Sequence, residues 1–315
     1  MIRKRGAWVR LPAVQPVLSR LPLLLALLAA SGCNVIGRPA ASDTAPEPLD
    51  SIHAQARDAL ARWAEAAKKS GGATISFVGD QTGQLGDWEP AVGDNNKSAL
   101  MAGLLTAPTP LSDSRPARGH VRWLDDDSLE VDVLSAADAL DDLVAAGLGE
   151  GACAECRPLR VTEANLATGL VETSQGPAEA PLWVFTIDGT AVRVTRIAVD
   201  PSITVVPPPF NADHPPEGLS IDLATGSSGS RKLTVSFTGA PKGAGESCGA
   251  DYTAEGVESD LAVVVIVNET RNASPGACPA VGKTRTAVVN LAAPLGERAV
   301  LEVRQGLPVP VHAPS

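Results

Sequence analysis

Between Ser51 and Lys69 the apolar positions Ile52, Ala56, Leu60, Trp63 and Ala67 recur at steps of three and four, the period of an amphipathic helix. Asp50 or Ser51 is placed to cap its start, Lys68 and Lys69 suit the negative end of its dipole, and Gly71-Gly72 ends it. Residues 73–78 read as a strand, and 98–105 as a short apolar helix. Val121/Trp123 and Val131/Val133 alternate with polar neighbours, which predicts two strands around the acidic turn Asp125-Asp126-Asp127. Ser135 opens a further helix with Leu140, Leu143, Val144 and Leu148 on one face. Strands follow at 159–166, 170–173, 183–187 and 191–199, with Asp188-Gly189 as a hairpin turn between the last two.

Pro201, Pro207 to Pro209, Pro215 and Pro216 mark a linker over 201–217. Beyond it every segment reads as strand. Leu233, Val235 and Phe237 alternate with Thr234, Ser236 and Thr238, and Ala287/Val289/Leu291 and Ala299/Leu301/Val303 each line one face. Residues 261–267 (LAVVVIV) are continuously apolar, which predicts a central strand covered on both faces. The order of elements predicts an α+β fold. An N-terminal α+β domain with an antiparallel sheet spans 49–200, and a small all-β domain, sandwich or barrel-like, spans 218–311 before a tail at 312–315.

The first 32 residues follow a different pattern. Arg3, Lys4, Arg5, Arg10 and Arg20 precede an apolar run over 21–30 (LPLLLALLAA), and Ser31-Gly32-Cys33 closes it. The run is too short to span a hydrocarbon core of roughly 30 Å, so it reads as an export signal. Small residues directly before Cys33 fit a lipoprotein signal peptide over 1–32, in which the Cys33 thiol is acylated, as with palmitate. Ala30 departs from the leucine more usual at that place, and the alternative is an ordinary secretory signal that leaves Cys33 unlipidated. Residues 33–48, rich in Pro, Ala and Ser, then act as the lipidated tether. A lipid anchor on the extracytoplasmic face of the cell membrane is the expected location.

Charge narrows the partners. The 315-residue chain has 26 Lys plus Arg against 36 Asp plus Glu, and without residues 1–32 the balance is 21 against 36, a net charge of −15. Such a surface repels phosphate backbones, which excludes nucleic acid as an expected partner. Export permits disulfides, and four cysteines remain after Cys33. Local pairing, Cys153 with Cys156 and Cys248 with Cys278, keeps each bridge inside one expected domain.

The best candidate site is residues 79–97 (GDQTGQLGDWEPAVGDNNK), where Gly-Asp recurs at 79–80, 86–87 and 93–94. Glycine permits left-handed backbone and aspartate bonds its own backbone, so each pair can make a turn. The segment carries Asp80, Asp87, Trp88, Glu89, Asp94, Asn95, Asn96 and Lys97 as candidate partner-binding residues. Alternatives are solvated turns packed down by Trp88, or a weak Ca²⁺ site on Asp80, Asp87 and Asp94, although EF-hand spacing is not met. Cys153-Ala154-Glu155-Cys156 has the spacing of a redox motif but follows a helix, so a structural disulfide is expected. Residues 277–284 (ACPAVGKT) mimic a phosphate loop, yet a strand is expected where a helix is needed. No hydrolase signature occurs, and His53, His120, His214 and His312 share no sequence neighbourhood. No catalytic residue, metal ligand or cofactor is implied.

The segments at 77–105 (FVGDQTGQLGDWEPAVGDNNKSALMAGLL), 153–166 (CAECRPLRVTEANL) and 258–303 (ESDLAVVVIV through CPAVGKTRTAVVNLAAPLGERAVLEV) resemble predicted envelope lipoproteins of GC-rich Gram-positive bacteria. The resemblance implies location and layout, and no activity. The expected role is non-catalytic binding of an envelope or secreted protein, with an extracytoplasmic hydrolase lacking a recognisable motif as the alternative.

Overall fold

The computed structural model describes residues 48–72, 75–88, 96–124, 127–201, 203–272 and 277–314. The signal segment, Cys33 and most of the tether lie outside them. The helices are α1 (Pro48–Lys69), α2 (Asn96–Met101) and α3 (Ala136–Ala145). The first sheet holds β1 (Thr82–Leu85), β2 (Leu105–Thr106), β3 (Gly119–Trp123), β4 (Ser128–Val131), β5 (Leu159–Thr173), β6 (Gly176–Ile187) and β7 (Arg193–Ile197). Two further sheets hold β8 (Leu223–Thr225), β9 (Lys232–Gly239), β10 (Ala250–Glu258) and β11 (Ala262–Arg271) with β12 (Lys283–Asn290), β13 (Ala299–Glu302), β14 (Pro308–Val309) and β15 (Val311–His312).

In the first sheet the order is β1-β7-β6-β3-β4, and β5 takes the other edge of β6. Every pairing is antiparallel except β2 with β5, so the sheet expected to be antiparallel is mixed. Alternation along β6 sorts its side chains. Trp183, Phe185 and Ile187 face a core shared with Ala99 of α2 and Leu140 and Leu143 of α3. Ala178 and Ala180 face a second core with Ile75, Phe77 and Val121. Ser135 caps α3 by accepting from the Asp138 N–H at 3.1 Å, as its sequence position predicts. Leu148, expected on that helix's apolar face, lies beyond its end and is exposed. The two strands expected at 159–166 and 170–173 are the single strand β5, because β6 pairs with it without a break after the Val161/Glu163 irregularity. Residues 75–78 form only an isolated bridge, Phe77 with Thr173, in place of the expected strand.

The C-terminal sheets run β10-β11-β13-β14 and β12-β9-β8-β15. Both are mixed, since β11–β13 and β8–β15 are parallel. Val263, Val265 and Val267 of β11 meet Leu233, Val235 and Phe237 of β9 between the sheets. The intervening Ala262, Val264 and Ile266 point the other way, and α1 covers them with Ile52, Ala56, Ala59, Trp63 and Ala66. The doubly covered strand expected at 261–267 is therefore present. Each fully buried Val or Ile there contributes about 1.5–3 kcal/mol of transfer free energy.

That packing has a consequence for the expected layout. α1, placed by sequence with 49–200, covers the sheet of 218–311, because only a second apolar layer keeps the outer face of β11 from water. Residues from Pro46 to Ser315 accordingly form one compact unit. α1 also begins at Pro48, ahead of the expected cap, and the Ser51 hydroxyl donates instead to Glu217 Oε1 at 3.2 Å. A turn after β13 grips the helix from the other side. The buried Glu302 carboxylate accepts the N–H groups of Arg304 and Gln305 at 2.9 and 2.7 Å, and Gln305 O accepts from Arg62 Nη2 at 2.7 Å.

The two cysteine pairs are local as expected, Cys153 with Cys156 and Cys248 with Cys278. Between β10 and the turn before β13, Arg298 Nη1 meets Glu258 Oε2 at 2.6 Å with both side chains largely buried. Burial alone would raise the Glu258 carboxyl, but the Ala292 N–H and the Arg298 guanidinium outweigh it and hold the group below its ordinary value. A depressed carboxylate stabilises the fold above its unfolded pKa and loses that contribution as pH falls through the folded one. Glu258→Gln should lower stability near neutral pH by about 2 kcal/mol. Urea titrations of both forms should show this difference shrinking below about pH 4; a difference that stays constant into acid would contradict the assignment.

Candidate functional site

The segment 79–97 is partly regular, contrary to its irregular pattern. Thr82–Leu85 forms β1 although only Thr82 is half-buried and the rest are exposed. Pairing with β7 supports the strand, in the register Thr82 with Arg196 and Leu85 with Arg193. Gly83 is needed there, since a Cβ would lie 2.7 Å from Thr195 Oγ1. Gly79 and Gly86 bracket the strand at φ +77° and +84°, so the first two Gly-Asp steps are the turns their composition predicts. Within the described residues β1 pairs only with β7, which leaves it at the sheet edge.

Of the candidate residues, Asp80 and Asp87 are exposed at those turns. Trp88 is half-buried against the core that α2 and α3 share, and its Nε1–H donates to Gln84 Oε1 at 2.9 Å. Asn96 and Lys97 start α2, Asn96 half-buried and Lys97 exposed. Glu89, Asp94 and Asn95 lie outside the described residues, as does the third Gly-Asp step. Among the described residues no group of three or more His, Cys, Asp or Glu could hold a metal ion.

β1, α2 and the end of α3 line an open pocket of about 600 Å³. One wall is apolar, from Leu100, Met101 and Leu143. The other is polar, from Asp80, Gln84, Lys97 and Arg196. Gly103 and Gly147 bring the ends of α2 and α3 together so closely that a Cβ on either would collide with the other's backbone. The Leu148 N–H donates to Met101 O at 3.0 Å and fixes that contact.

Arg196 is the residue that sequence reading missed. It stands on β7 at an inward position, in line with Val192, Val194 and Ala198, which are fully buried. Its Nε is buried without a hydrogen-bond partner, and its Nη1 donates to Thr82 Oγ1 over a long 3.5 Å. No carboxylate of the described residues lies within ion-pair distance of it. Burial pushes the guanidinium below its ordinary value against the pull of Asp142. Asp142 in turn is raised by burial, with Arg196 opposing. An arginine interrupting a run of inward valines in VRVTRIAV was the available signal.

Other candidates fall elsewhere. The Cys153–Cys156 bridge closes a turn after a short 3₁₀ segment, Glu150–Cys153, and the Lys of the phosphate-loop look-alike opens β12, a strand. His312 meets Glu172 at 3.1 Å and His53 meets Glu255 at 3.4 Å; neither lines the pocket. No described helix is long and apolar enough to cross a membrane. No protein-family model, curated protein or solved structure matches the chain.

Because Trp88 packs on a core, Trp88→Ala should lower stability by about 1–2 kcal/mol, less than the 3–5 of a fully buried tryptophan. A thermal melt checks this, and an unchanged midpoint would mean that Trp88 stands free of the core.

Proposed function

We propose that the chain is a lipid-anchored extracytoplasmic protein, held to the cell membrane through Cys33, whose role is non-catalytic binding of an envelope or secreted protein. The face that serves it is β1 with the adjoining pocket. The observation that carries this reading is an exposed edge strand running along a pocket lined by a half-buried arginine whose Nε–H has no partner. An edge strand offers unpaired N–H and C=O groups to an extended segment of another chain, and pockets beside it select side chains. The strand is only four residues long. The resemblance to envelope lipoproteins and the acidic ectodomain fit the same location.

Two measurements test it. Metabolic labelling with a fatty-acid probe should mark the native chain and not Cys33→Ser, which should leave the membrane fraction; a labelled, membrane-bound variant would overturn the anchor. A photoreactive side chain at Gln84 should give a discrete adduct in intact cells that the same probe at exposed Glu246 does not. Identical adducts from the two positions would overturn the binding face.

A further inference from the structure

The pocket's charges and walls define the class of ligand, an inference that rests on reading it as a binding site. Arg196 faces two costs where it stands. Part of its guanidinium is out of water, and its Nε–H makes no bond to the protein. A half-buried cation with an unsatisfied N–H is costly, and a chain that retains one gains when an anion arrives. Lys97 adds a second positive charge at the mouth, and Asp80 supplies one negative charge to the same lining. The described lining therefore carries a net charge of +1, on a chain whose overall charge is −10. With Asp142 also close enough to pull on Arg196, the site suits an anion of no more than one charge. A dianion such as phosphate would leave excess negative charge facing Asp80 and the nearby Asp142.

The apolar wall sets the rest of the ligand. Leu143 is buried, Leu100 half-buried, and Met101 is exposed at 56% beside the pocket, a flexible side chain suited to varied apolar shapes. Planar guanidinium geometry matches a carboxylate, and with Nε buried the donors that can meet two oxygens are those on Nη1 and Nη2. We infer that the pocket between β1, α2 and α3 binds a carboxylate carried on an apolar body, with Arg196 and Lys97 holding the carboxylate and Leu100, Met101 and Leu143 the body. The carboxyl end of a peptide and a free aliphatic acid share that chemistry.

Calorimetric titration of the full chain in lipid nanodiscs separates the possibilities. The probes are N-acetyl-leucine, N-acetyl-leucine amide, 4-methylpentanoate and inorganic phosphate. N-acetyl-leucine should bind at least about tenfold tighter than its amide, the worth of one charge-assisted hydrogen bond. Stronger binding of N-acetyl-leucine than of 4-methylpentanoate assigns the ligand to peptide termini, and equal or weaker binding assigns it to free acids. An amide that binds as well as the acid, or phosphate that binds tighter than both acids, would overturn the inference. Arg196→Met should abolish the preference for acid while raising the melting midpoint by ~2–4 °C, because a half-buried charge with an unsatisfied N–H is removed. A variant that keeps the preference would overturn it. Lys97→Gln, at an exposed position, should weaken the acid about threefold and leave the amide unchanged; an unaltered acid affinity would count against the assignment whatever Arg196→Met does to folding. Acid binding that fails while the Gln84 adduct persists sinks the ligand class alone. Acid binding without any adduct sinks the protein-partner reading alone.

Discussion

The fold depends on β11 being apolar on both faces. A strand of Val and Ile at successive positions cannot sit at a sheet surface without exposing half of its side chains. Here Val263, Val265 and Val267 fill the space between two sheets, and Ala262, Val264 and Ile266 lie under α1. That second demand draws a helix from the start of the ordered chain across to its C-terminal third. The turn organised by Glu302 and the Glu217 contacts with Ser51 and Gln55 then hold the helix in place. A boundary drawn at the proline-rich linker would cut through this layer.

The first sheet follows a looser rule. β6 is its organising strand, paired with β5 along its length and with β3 and β7 in turn on its other edge. β7 passes the pattern on to β1, whose own side chains contribute little to burial. The pocket lies against the edge thus formed. Local rules are broken together there. A polar strand forms without alternation, an arginine occupies a valine position, and two helix ends meet through glycines. Sites that bind are where such departures from consistency are expected.

Much of this was legible in the residues. The LAVVVIV run, the period of α1, the Ser135 cap, the Asp188-Gly189 turn and the local cysteine pairs all follow from short-range chemistry and all appear. What was hidden depended on distant partners. β1 is made by hydrogen bonds to β7 more than a hundred residues away, so its own sequence shows only turns. The destination of α1 is fixed by β11, some two hundred residues on. Of the segment 79–97, Asp80 and Lys97 line the pocket. Trp88, read as a binding side chain, is half-buried on the core, and Arg196 became visible only when β7 was set beside β1.

The central claim is that Arg196, whose Nε–H has no hydrogen-bond partner and whose Nη1 reaches Thr82 Oγ1 only at 3.5 Å, is placed to receive a carboxylate. NMR of the Arg196 Nε–Hε group tests this most directly. In the ligand-free chain the resonance should lie among those of guanidinium groups that lack a hydrogen bond, and should shift when N-acetyl-leucine is added but not with its amide. A resonance that is hydrogen-bonded from the outset and indifferent to the acid would contradict the account.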